Sequence, residues 1–351
     1  MRASVGIATV ACLGVSVALA ASLAAQRSPS PPAPTVGADA TARIVSAAQA
    51  FLATLDEGGR TRVQFPFDSP QKARWSNLPT GAFKREGLRM GDLAPAQRAA
   101  AMALLSTAFS QEGYRKVVEI MHGDEVLRGG GPGGRGPGGG GVRFGEDEYY
   151  LAFLGVPSAS APWMLQFGGH HLAINMTLAG RQATLAPSHT AAQPAGYSFE
   201  GRTVRPLGDE NDRAFALMAS LDDAQRKEAI LGYSVSDLVL GPGQDGRTIQ
   251  PEGLRASALS ASQQTMLLDL VHEWAGIAND TLAAPRMDEI RASLPQTYFA
   301  WSGPTTAGSA AYFRIQGPTL VIEYAPQRGV DHIHTIYRDP TNDYGARYAR
   351  E

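Results

Sequence analysis

A chain of 351 residues with a single cysteine has little sulfur chemistry open to it. That residue, Cys12, lies in a stretch read below as a leader, so the remaining chain has none. Its absence excludes disulfides, thiolate nucleophiles and cysteine-held metals or clusters. Charge is sparse as well. Charged residues make up 18% of the chain and sum to a net −2, which gives no electrostatic case for nucleic acid or an anionic membrane surface. No Gly-x-Ser-x-Gly elbow, phosphate-binding loop or His-Glu-x-x-His helix occurs, so the common signatures of serine hydrolases, nucleotide phosphate sites and zincin proteases are missing. Apolar residues, by contrast, make up 44%, enough at this length for a core that needs no disulfide support.

The N-terminus reads as a signal peptide over residues 1–25. Arg2 supplies the positive start, residues 5–20 are small and apolar, and small-residue cleavage options fall around Ala20 and Ala25. An alanine-rich stretch this short barely spans the hydrocarbon core, so cleavage outranks an anchor. A lipoprotein reading on Val10-Ala11-Cys12 leaves a stunted apolar region. The expectation is an exported protein, periplasmic or extracellular, with no stable membrane insertion after cleavage. Residues 26–40, rich in Ser, Pro and Ala, read as an extended tether, and 41–351 as one domain.

Within that domain Leu93-Ala94-Pro95-Ala96-Gln97, Leu221-Asp222-Asp223-Ala224-Gln225 and Leu259-Ser260-Ala261-Ser262-Gln263 each open a helical pattern. The last two are capping boxes with a preceding leucine staple, and Pro95 suits an opening turn. Reuse of a common helix start accounts for them more simply than a repeat. A further amphipathic helix is expected over 41–55. Strand signals fall at 148–154, at 170–178 and 181–185 around an Ala179-Gly180 hairpin, and in a C-terminal meander over 312–315, 319–324 and 332–338. Helices and strands come in blocks, which argues an α+β fold with antiparallel sheet elements. The spacing Gly129-x-Gly131-x-x-Gly134 lies in a glycine-rich run over 129–141 with no strand before it and no helix after. It reads as a surface loop, and no nucleotide cofactor is expected.

Seven histidines are present, and four sit in two tight groups. His332 and His334, two apart on a strand, project from one face and suit two ligands of one ion. His170 and His171 are adjacent, so a strand would send them to opposite faces. His171 falls with Ala173, Asn175 and Thr177 on the polar side, and His170 with the apolar row of a core. His171 is then the leading third ligand, with Glu323 or Asp331 as a carboxylate ligand or, in a hydrolase, as the group that manages protons. Nitrogen-rich sites without thiolate suit zinc, copper or iron. His122, His189 and His272 lie alone. Arg314 or Arg338 can hold a substrate carboxylate bidentately. The aromatics Trp163, Tyr298, Phe299, Trp301, Tyr312 and Tyr324 can line a cleft, though core is their commoner fate. The oxygen-rich run from Asp339 to Asp343 lacks EF-hand spacing and reads as an Asx-stabilised turn.

Taken in order, Trp75-Ser76-Asn77-Leu78-Pro79, Pro162-Trp163, Gly169-His170-His171-Leu172, Tyr298-Phe299-Ala300-Trp301, His332-Ile333-His334, Arg338-Asp339-Pro340 and Asn342-Asp343-Tyr344-Gly345 resemble domain-of-unknown-function family 3500. The resemblance runs from about Thr41 to the C-terminus and departs at the glycine-rich insert and around Ser188-His189. It implies one family-wide domain and places His170, His171, His332 and His334 at motif positions, but it brings no activity. The functional expectation is a transition-metal protein with ligands among His170, His171, His332 and His334, a metal-dependent hydrolase or redox enzyme acting on a small molecule. Trp163, Arg314 and Arg338 would then contact substrate, and Glu323 and Asp331 would do proton work. The alternatives are a non-enzymatic binder of a small organic ligand, or a metal carrier.

Overall fold

The computed structural model describes Met1 and residues 36–130 and 141–350. The leader, the first part of the tether and the centre of the glycine-rich loop lie outside the described residues. Helix α1 (Val36–Ala53) begins inside the stretch read as tether. It is followed by α2 (Glu57–Val63), β1 (Gln64–Phe65), β2 (Leu88–Arg89), α3 (Pro95–Ala108), α4 (Gln111–Arg128) and a run of strands: β3 (Tyr150–Leu154), β4 (Trp163–Gly168), β5 (Leu172–Ala179), β6 (Gln182–Thr184) and β7 (Ser188–Ala192). A short hairpin, β8 (Tyr197–Phe199) and β9 (Arg202–Val204), leads to α5 (Gly208–Ser220), α6 (Asp223–Ala229), β10 (Leu254–Arg255), α7 (Ala261–Ala275) and α8 (Asp280–Ser293). The chain closes with β11 (Tyr298–Ser302), β12 (Tyr312–Gly317), β13 (Leu320–Pro326) and β14 (Ile333–Arg338). The fold is α+β, as expected. Among the described residues no helix is long and apolar enough to cross a membrane.

The capping boxes form as the sequence requires. Asp222 Oδ1 accepts from Gln225 N at 2.8 Å, and Ser260 Oγ from Gln263 N at 3.3 Å, with each glutamine accepting the cap backbone N–H in return. The Ala179-Gly180 hairpin joins β5 to β6, and the C-terminal meander is β12–β13–β14. The oxygen-rich turn is Asx-stabilised, with Asp339 Oδ1 accepting from Thr341 N at 2.9 Å.

One sheet organises the chain, in the order β1-β3-β4-β5-β7-β14-β13-β12-β11-β10, with β2 beside β3 and β6 beside β5. All its strand pairs are antiparallel except β1 with β3. The register sorts side chains cleanly between the faces. Leu151, Phe153, Leu165, Phe167, Ile174, Met176, Phe313, Ile315, Ile322 and Tyr324 point to the side where the helices pack, and they form one continuous core with Phe51, Leu104, Leu217, Leu270 and Trp274. The aromatics singled out above, Trp163 among them, are largely in this core: its indole N–H donates to Ser158 O at 3.0 Å.

The opposite face carries buried polar residues, because irregular chain over 66–87 and 230–253 covers it and needs partners for its backbone groups. Glu323 accepts from Val239 N at 2.9 Å and Leu240 N at 2.7 Å. Arg338 donates to Leu240 O at 2.7 Å, and Gln316 to Ile249 O at 2.7 Å.

The two halves of the chain repeat one another, which overturns the reading of the shared helix starts as coincidence. The series α1-α2-β2-α3-α4-β3 recurs as α5-α6-β10-α7-α8-β11, and the sheet reads symmetrically outward from its central pair β7–β14. Glu86-Gly87-Leu88-Arg89 matches Glu252-Gly253-Leu254-Arg255. Leu88 pairs with Leu151 just as Leu254 pairs with Phe299. Gly87 and Gly253 have φ of 105° and 96°, and a Cβ there would stand 2.5 Å from Leu151 O or 2.4 Å from Phe299 O. Only glycine fits both demands.

Candidate metal centre

The histidine groups meet where β5 and β14 begin, on either side of the end of β7. His332 and His334 lie at the start of β14. His170 and His171 form the tip of the β4–β5 hairpin, closed by Gly169 N donating to Leu172 O at 2.9 Å. Strand alternation therefore does not govern them, and the expectation that they face apart fails: their rings stack with centres 3.7 Å apart at 32°. Glycines make this tip possible. A Cβ on Gly168 would stand 2.4 Å from Leu172 O, and one on Gly169 would stand 2.9 Å from the Tyr149 ring.

Candidate ligand atoms of His171, His332 and His334 lie within 4.8 Å of one another. Ring centres are 5.4 Å apart for His171 and His332, 4.5 Å for His332 and His334, and 6.4 Å for His171 and His334. Among the described residues, the Nε2 atoms of all three are buried and have no hydrogen-bond partner. An unpaired buried polar nitrogen costs about 1–3 kcal/mol, so three in one place call for a ligand.

The other ring nitrogens are held from behind. His171 Nδ1 lies 2.6 Å from Asp124 Oδ1, with the oxygen standing off the N–H axis. His170 Nδ1 is 3.3 Å from the same oxygen, while Asp124 Oδ2 accepts from Tyr149 O–H at 2.8 Å. His334 Nδ1 lies 3.6 Å from Asp237 Oδ1 and 3.4 Å from Asn77 Nδ2, one from each covering segment, and of the two only the carboxylate can accept its N–H. A carboxylate behind a ligating imidazole fixes its tautomer and raises its basicity.

The electrostatics keep the rings neutral, as metal ligation requires. Burial pushes His332 down to about 3, with His334 and His171 adding to it. Burial also lowers His171 and His334, against the opposing pull of Asp124 and Asp237 respectively. For Asp124, burial would raise the carboxyl, whereas charge on the His171 and His170 rings and hydrogen bonds from them lower it, so the carboxylate form goes with these two imidazoles. Burial drives the Tyr149 hydroxyl up, so it stays a donor.

Of the expected site residues, the structure brings together His171, His332 and His334, with His170 beside His171 on Asp124. The others lie elsewhere. Glu323 is spent on the two backbone N–H groups and on Tyr312 O–H at 2.7 Å. Asp331 is exposed and accepts from Ala195 N at 3.2 Å. Arg314 pairs with Glu252 at 3.0 Å, and Arg338 with Asp343 at 2.7 Å and Asp245 at 3.1 Å. Trp163 is in the core on the helix side.

Asp124, Asp237 and Asn77 were missed, because they are distant in sequence and nothing in their local pattern marks them. His189 is not alone. It is wholly buried, its ring centre 5.5 Å from His334 and 6.3 Å from Trp75, and among the described residues neither of its nitrogens meets a partner in good hydrogen-bond geometry. His122 pairs with Glu146 at 2.9 Å, and His272 is exposed on α7.

Fold and site together define an α+β protein with a buried histidine cluster that could hold a metal ion. The chain belongs to the protein family of unknown function DUF3500, whose family pattern matches residues 37–346. No curated protein and no solved structure matches it.

Proposed function

We propose that this is an exported metalloprotein whose single transition ion (zinc, copper or iron) is held by His171, His332 and His334. The observation that carries this reading is that His171, His332 and His334 each bring a ring nitrogen within 4.8 Å of the others, while the Nε2 of each is buried and, among the described residues, without a hydrogen-bond partner. Three imidazoles without a thiolate suit all three metals, and a tetrahedral ion so held keeps one position open. At that position the ion would act as a Lewis acid toward water or a substrate oxygen, which supports a metal-dependent hydrolase over a storage site. The export part of the reading rests on the leader.

Elemental analysis of protein purified without chelator, beside a His332→Ala/His334→Ala double variant, tests the site. One ion per chain in the parent, lost in a still-folded variant, is the expected result. A parent that is metal-free and also refuses added zinc, copper and iron would overturn the proposal.

A further inference from the structure

His170 stands next to the ligands without joining them. The group of ligand atoms that includes His332 and His334 contains His171 but not His170, and the group that contains His170 is made with His171 and Asp124. That second group could itself be taken for a metal site, but its distances argue otherwise. Two ligand atoms of one tetrahedral ion with bonds near 2.05 Å stand about 3.3 Å apart. Asp124 Oδ1 and His171 Nδ1 are 2.6 Å apart, well inside that ligand–ligand separation. An ionised oxygen and a bare nitrogen lone pair would repel at that distance, so His171 Nδ1 carries hydrogen. His170 Nδ1 makes a 3.3 Å hydrogen bond to the same oxygen, and because an ionised carboxylate only accepts, this nitrogen carries hydrogen too.

The consequence lies on the far edge of the rings. Both Nδ1 atoms lie beside one oxygen and the ring centres are 3.7 Å apart with the planes tilted by 32°, so both Nε2 lone pairs lie on the side away from Asp124. The His171 Nε2 lone pair is the metal ligand of the proposed centre. That of His170 is displaced from it by about one ring-stacking distance, and, unlike the Nε2 atoms of the three proposed ligands, it is not among the sealed, unpartnered nitrogens. A donor group held at an open position on the His170 side of the ion would be within reach of this nitrogen.

We infer that His170 is the hydrogen-bond acceptor for whatever occupies the open coordination position, a water or a substrate O–H or N–H, and that Asp124 fixes both histidines in the Nδ1–H form. The inference rests on the proposed metal centre and extends it to the species the centre binds. A ligand carrying a hydrogen-bond donor next to its metal-binding oxygen would be preferred over one carrying none. Phe144, with its ring centre 5.0 Å from His170, packs the imidazole in place.

Two measurements test it. In metal-free protein with ¹⁵N-labelled histidine, long-range proton–nitrogen correlation spectra should show His170 and His171 as Nδ1–H tautomers, assigned by loss of signals in His170→Phe and His170→Gln. An Nε2–H tautomer at His170 overturns the inference whatever the metal does. In zinc- or cobalt-loaded protein, His170→Phe should keep one ion per chain. It should bind acetohydroxamate, which carries an N–H beside its ligating oxygens, about three- to tenfold more weakly than the parent, with azide binding unchanged. His170→Gln, which retains an acceptor, should recover part of the loss. Loss of the ion from His170→Phe would make His170 a ligand, two ions per chain would make Asp124 one, and equal hydroxamate affinity would remove its role at the open position. Each of these overturns the inference while leaving a metal centre in place, whereas a parent that takes no metal overturns the centre itself.

Discussion

Asp124 shows how much of the centre depends on one side chain that is not itself a ligand. It is fully buried on α4, bonded by Tyr149 on one oxygen and approached by two imidazoles on the other. Replacing it with asparagine keeps the volume but removes the charge that favours an Nδ1–H imidazole. Asp124→Asn should weaken metal binding about ten- to hundredfold, measured by competition with a chromophoric chelator, with near-parent secondary structure. An unchanged affinity would mean that the hairpin tip alone positions His171. His189 has a different standing: its Nδ1 and Nε2 are orphaned, yet they lie outside the group of proposed ligands.

At the scale of elements, the site is built from a tight turn and a strand start. What the sequence revealed follows from that difference. His332-Ile333-His334 was legible because strand periodicity holds on β14. His170-His171 was misplaced because the same periodicity was applied to two residues that precede β5, where the turn sets the side-chain directions. Asp124 was illegible because α4 is amphipathic whether position 124 is acidic or not, and its meaning comes only from packing against the hairpin. Likewise the strands, capping boxes and meander could be read from local chemistry, whereas the duplication could not be read from the helix starts alone. Its stronger marks are the glycines Gly87 and Gly253, whose requirement is tertiary. Each has positive φ with a strand carbonyl where a Cβ would go, so Gly87→Ala and Gly253→Ala should each destabilise by about 2 kcal/mol or more in denaturant titrations. A loss in one half but not the other would show that the two halves no longer share this constraint.

The whole molecule brings the centre's parts together from far apart in sequence. Asp124 comes from α4, His171 from the β4–β5 tip, His332 and His334 from β14, and Asn77 and Asp237 from the two covering segments. Protonation of the rings is therefore coupled to global folding. The metal-free protein gives the sign. His332 titrates near 3 when folded against 6.5 when free, and burial moves His171, His189 and His334 in the same direction. As pH falls below 6.5 the unfolded chain takes up protons that the folded chain refuses, so folding stability declines steadily toward pH 3. A bound ion adds to the folded side only, by mass action, and protons compete with it for the same nitrogens, so the loaded protein should be more stable at neutral pH and lose that advantage on acidification. Denaturant midpoints of metal-free and metal-loaded protein at about pH 7.5, 6 and 5 should show both effects, with the two curves converging at the acid end. A metal-free midpoint that stays level across this range would mean that the histidines titrate freely and that the cluster is open to water, and the neutral, sealed imidazoles on which the metal reading depends would be lost with it.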